Sequence, residues 1–126
     1  MKIVHSFRLA ITLCSGLVLL GLWYGTVWAH TLPIRSEPGA GATLNDPPVC
    51  VRIWFDNVLD PAFSTIIVQN AKGQKVDKGD SHVNHTDPTL LEVSLPFLSP
   101  GTYRVIWTAF SRDSHRTTGD YIFAIK

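Results

Sequence analysis

Eight prolines set the terms on which this chain can fold. Pro33, Pro38, Pro47, Pro48, Pro61, Pro88, Pro96 and Pro100 all lie in the last 97 of its 126 residues. Proline lacks an amide hydrogen and clashes with the preceding turn of a helix, so this spacing stops helices before they lengthen. Strands survive between the breaks. Val49, Val51, Ile53 and Phe55 alternate with Cys50, Arg52 and Trp54, the period of two expected of a half-buried strand. Residues 63–69 predict another strand through Thr65, Ile66, Ile67 and Val68. Ala71-Lys72-Gly73-Gln74 then predicts a hairpin turn into Lys75 and Val76. Leu91, Val93 and Leu95 share one face of residues 90–95. A turn at Ser99-Pro100-Gly101 leads into a long strand with Tyr103, Val105 and Trp107 on one side. Tyr121, Phe123 and Ile125 form the last strand, and the polar stretch 77–88 reads as a loop. No segment carries a helical period. Six or seven short strands predict an all-β domain, a Greek-key β-sandwich or small barrel.

The first residues follow a different pattern. Lys2 and Arg8 precede an apolar run over 9–23, and Val27 and Ala29 stand three and one residues before a potential cut. This is the order of a secretory signal peptide, and it predicts a leader over 1–29 and a domain over 30–126. The alternative is an uncleaved anchor, since residues 9–29 are long enough to cross a bilayer. The domain carries nine basic and ten acidic residues with no basic run, so charge offers nothing to nucleic acid. It holds one cysteine, Cys50, which excludes an internal disulfide and reads as a strand residue.

Cleavage after Ala29 would make His30 the first residue. A leading histidine offers its α-amine and its ring Nδ1, which together close a chelate on one metal ion. In extended chain, residues i and i+2 project to one side, so Asp113 and His115 are expected to converge on one point. With His30 the set is three nitrogens and one carboxylate oxygen. Such a tetragonal site suits Cu(II) best, and Zn(II) would prefer a tetrahedron.

These residues carry a resemblance. His30, the turn Ser36-Glu37-Pro38-Gly39-Ala40-Gly41, and Val51-Arg52-Ile53-Trp54-Phe55 resemble the opening of the periplasmic copper-resistance CopC family. Gly101-Thr102-Tyr103-Arg104-Val105-Ile106-Trp107, Ser111-Arg112-Asp113-Ser114-His115, Gly119 and Phe123 resemble its C-terminal signature. The resemblance implies a barrel or sandwich of about seven strands, cupredoxin-like or immunoglobulin-like. It also implies one tightly bound Cu(II) held by His30, Asp113 and His115, a periplasmic location, and transfer to an inner-membrane copper transport partner of the CopD type. A monomer without enzymatic activity is expected. The departures are specific. Met1 is the sole methionine, so the thioether ligands that relatives use for Cu(I) are absent. Ser114 replaces a common glycine. Asp56-Asn57 stands where many members have Ser-Glu, which makes Asp56 a candidate neighbour of the metal rather than a ligand.

Two readings compete with a copper carrier. One is a histidine-brace copper oxidase or monooxygenase. A plane filled by four protein donors leaves no strong equatorial position for oxygen or substrate, and this weighs against it. The other is a metal-free β-sandwich that serves as an interaction module. His82 and His85 form a His-x-x-His with no evident third ligand, so they read as exposed histidines ahead of a second metal site. Trp54, Tyr103, Trp107 and Tyr121 read as packing residues.

Overall fold

The computed structural model describes residues 31–126. The leader expected over 1–29, and His30, lie outside the described residues. Eight strands appear in the order β1 (Pro33–Glu37), β2 (Thr43–Leu44), β3 (Cys50–Phe55), β4 (Thr65–Gln69), β5 (His82–Val83), β6 (Leu90–Ser94), β7 (Gly101–Phe110) and β8 (Arg116–Ile125), with no helix among the described residues. They form two four-stranded sheets, β1-β3-β6-β5 and β2-β8-β7-β4. All pairings are antiparallel except β2 with β8. The expected β-sandwich is the observed fold, with eight strands in place of about seven.

Alternation in the sequence becomes alternation in burial. Val51, Ile53 and Phe55 of β3 face Tyr103, Val105, Trp107 and Ala109 of β7 across one core, which Phe123 and Ile125 of β8 complete. Trp107 meets Phe55 edge to face, with ring centroids 5.2 Å apart. Opposite Trp107 in the β7–β8 register is Gly119, where the indole occupies the space of a side chain. A Cβ built at Gly119 would lie 2.4 Å from Trp107 Cζ2. Gly119→Ala must therefore displace the nearly buried Trp107 ring from its place against β8. The expected loss is about 1–3 kcal/mol in denaturant unfolding, and an unchanged midpoint would contradict this packing.

Several strands depart from the sequence expectation; β2 has no counterpart in it, and β8 begins at Arg116, ahead of the expected Tyr121. β1 occupies part of what the sequence presents as a turn. It is an exposed edge strand that opens on Pro33, where a missing N–H costs no ladder bond. β5 lies inside the stretch expected to be loop, and only His82 and Val83 pair with β6. The strand predicted over 63–69 begins at Thr65, because Asp60 closes a turn through Ala62 N–H and Ser64 N–H. The predicted hairpin after β4 exists as a single bridge, Gln69 to Lys75. Its turn is closed by the Asn70 side chain, which accepts from Lys72 and Gln74.

Candidate metal centre

β7 and β8 are the longest strands, and the link between them, residues 111–115, projects from one end of the sandwich. Ser111 organises this link. Its N–H donates to the His115 carbonyl at 2.9 Å, its carbonyl accepts from Ser114 N–H at 3.0 Å, and its Oγ accepts from His115 N–H at 3.2 Å. The same hydroxyl donates to Asp113 Oδ1 in a short hydrogen bond. Ser111 is 1% exposed, so its hydroxyl is shielded from competing water, whereas the Asp113 side chain is half-exposed.

The other carboxylate oxygen, Asp113 Oδ2, lies 3.1 Å from His115 Nδ1. The expected convergence of Asp113 and His115 is present, but its cause differs from the one read in the sequence. The two residues meet across a tight turn and not along an extended strand. Ser114 between them takes φ 69°, the left-handed region in which glycine is at ease. Glycine would meet this backbone demand freely, and serine meets it here at some cost.

The Ser111 hydroxyl, and after it the His115 ring, hold the Asp113 carboxyl below the ordinary carboxylate range. A carboxyl whose folded value is depressed favours the folded state above its unfolded value, and that contribution disappears as pH falls through the folded value. Asp113 is therefore an anion, ready to ligate, across neutral and mildly acidic pH. Ser111→Ala should return the Asp113 carboxyl toward its ordinary value in an NMR titration. It should also lower thermal stability by about 1–2 kcal/mol, since His115 N–H loses an acceptor. An unmoved Asp113 titration would contradict this account of the turn. The pattern Ser-x-Asp, a hydroxyl two residues before an acid, was a readable signal of such a local bond, yet sequence reasoning passed over Ser111.

The start of the described chain is moored at the same end. Thr31 is fully buried, and its carbonyl accepts the Thr117 hydroxyl at 2.7 Å. Thr117 follows His115 by two positions. Leu32 N–H donates to Asp56 Oδ1 at 2.8 Å, and Asp56 N–H donates to the Leu32 carbonyl at 3.0 Å. Asp56 thus holds the N-terminal segment. Among the described residues no three His, Cys, Asp or Glu side chains gather as a metal cluster. Asp113 and His115 bring one oxygen and one imidazole, a hard and a borderline donor that fit a cupric ion, and further donors must come from elsewhere.

His82 lies in β5, at the edge of the first sheet, and His85 follows that strand. Both ring nitrogens of His82 face acceptors, Nδ1 the Asp80 carbonyl at 2.8 Å and Nε2 the Glu92 carboxylate at 3.1 Å. Glu92 also receives Asn84 Nδ2 and faces Arg52. The His85 ring stacks on His82 with centroids 6.2 Å apart. The cluster straps a two-residue edge strand to β6. Of the aromatic residues, Trp107 and Tyr103 are core. Trp54 carries the Arg35 guanidinium 4.1 Å above its ring, and burial pushes the Tyr121 phenol up to about 12.

The model of the CopC domain family matches residues 34–126, and the chain belongs to that family. Its members are copper-binding proteins of copper resistance and homeostasis rather than enzymes, and this chain is one of them. Protein YobA of Escherichia coli K12 is 31% identical over 102 residues, covering 80% of this chain and 82% of YobA. The copper transport protein CutJ of Bacillus subtilis is 31% identical over 101 residues, but the match spans 79% of this chain and only 19% of CutJ. CopC from Methylosinus trichosporium OB3b superposes with a TM-score of 0.69 at 27% identity, covering 77% of this chain and 94% of that one. PcoC, a methionine-rich copper resistance protein from Escherichia coli, gives 0.67 at 30% identity, covering 78% and 100%.

Proposed function

We propose that this chain is exported by a cleaved signal peptide over 1–29. In the periplasm its domain, residues 30–126, carries or buffers one Cu(II) as a monomer and passes it to an inner-membrane transporter of the CopD type. The ligands are the α-amine and ring nitrogen of His30, a carboxylate oxygen of Asp113 and a ring nitrogen of His115. The observation that carries this reading is the Asp113–His115 pair, 3.1 Å apart, on the link beside which the described chain begins. Three nitrogens and one oxygen fill a tetragonal plane, which favours holding the ion over turning over a substrate. The absence of methionine beyond Met1, against a methionine-rich relative, favours Cu(II) over Cu(I). CutJ supports the transfer step: a copper transport protein in which a region like this chain is joined to a much longer polypeptide suggests partners that meet when separate.

The test is electron paramagnetic resonance of the exported protein titrated with Cu(II). One tetragonal signal saturating at one equivalent, with coupling to nitrogen donors, is expected, and His82→Ala with His85→Ala should leave it unchanged. No protein-bound signal, or one that the double variant abolishes, would overturn the assignment.

A further inference from the structure

We infer that Asp56 and Thr117 are positioning residues for the copper site, fixing the chain start by hydrogen bonds so that its donors meet Asp113 and His115. The inference rests on the reading that residue 30 is a ligand. A donor at a chain terminus is tethered from one side only, and ordering it opposes binding unless the residues that follow are already fixed. Here they are fixed through the backbone. Thr31 is buried, but Leu32 is 53% exposed, so burial does not fix the residue that leads into Pro33. What holds it is a two-way clamp, with Leu32 N–H on the Asp56 carboxylate and Asp56 N–H on the Leu32 carbonyl. The third bond, Thr117 Oγ1 to the Thr31 carbonyl, ties the segment to the strand that begins just after His115. Pro33 adds stiffness, since a residue before proline is confined to extended backbone.

The clamp also explains Asp56 without making it a ligand. Its Oδ1 is spent on Leu32, and what that bond requires is an acceptor, not a charge. Asparagine keeps the acceptor and removes the charge, whereas alanine removes both. Asp56→Ala is therefore expected to weaken Cu(II) binding by about 10–100-fold, the range for lost outer partners of a metal ligand. Asp56→Asn should stay within about threefold of the parent. Thr117→Val should weaken binding by about tenfold, and Thr117→Ser should restore it.

The experiment is competition titration of Cu(II) into the mature parent and the four variants, with electron paramagnetic resonance of each loaded protein. Near-ultraviolet circular dichroism checks that each apo variant is folded. The alanine variant should lose nitrogen coupling from the chain start while the asparagine variant keeps the parent signal, a contrast that general loss of stability does not produce. Equal affinity for parent and Asp56→Ala would overturn the inference. Equal weakening by alanine and asparagine would overturn it too, because Asp56 would then act by charge or ligation. A parent that binds no Cu(II) would overturn the copper-site reading beneath it, and is told apart by the parent titration alone.

Discussion

Adding one residue ahead of His30 should lower the Cu(II) affinity of the mature protein by more than about 100-fold, with the fold intact. Loss of an outer partner of a ligand costs 10–100-fold, and this change removes more. The extra residue converts the His30 amine into an amide, so the chelate between amine and ring nitrogen is broken. Asp113 and His115 are untouched, and the Ser111 bonds that set them remain. His30→Ala should fall at least as far. Competition against a chromophoric chelator measures both. Affinity unchanged in the extended protein would mean that copper is held without the chain start.

Acid should release the ion. Copper binds to unprotonated ligands, and a free α-amine has an ordinary value near 7.7–8.0. Proton competition at the amine alone should cost on the order of 50-fold in apparent affinity between pH 7.5 and 5.5. Asp113 takes no part in this window, because the Ser111 hydroxyl and the His115 ring hold its carboxyl below the ordinary range and it stays ionised throughout. Titration at the two pH values checks the slope. A fall of less than tenfold would indicate that oxygen donors, and not nitrogens, dominate the site.

Much of the fold was legible because three strands advertise themselves. In β3, β7 and β8 apolar residues recur every second position, and the same residues form the core. β1, β2 and β5 were not legible because they are short and lie at sheet edges, and β1 is mostly exposed. There pairing is decided by neighbours and not by a strand's own apolar face. The site divides the same way. Asp113 and His115 stood out by identity and spacing, but the turn that unites them depends on Ser111 and on Ser114 at positive φ. Asp56 was visible only as a candidate neighbour of the metal. Its partner, Leu32, is 24 residues away, and a backbone amide leaves no mark in a sequence. Thr117 and Thr31, 86 residues apart, gave no signal at all.

The most direct measurement is the intact mass of the protein recovered after export, under conditions that preserve bound metal, with and without added copper. The account predicts a polypeptide beginning at His30 that gains the mass of a single copper ion. A product that retains the leader, begins at another residue, or takes up no copper would contradict it.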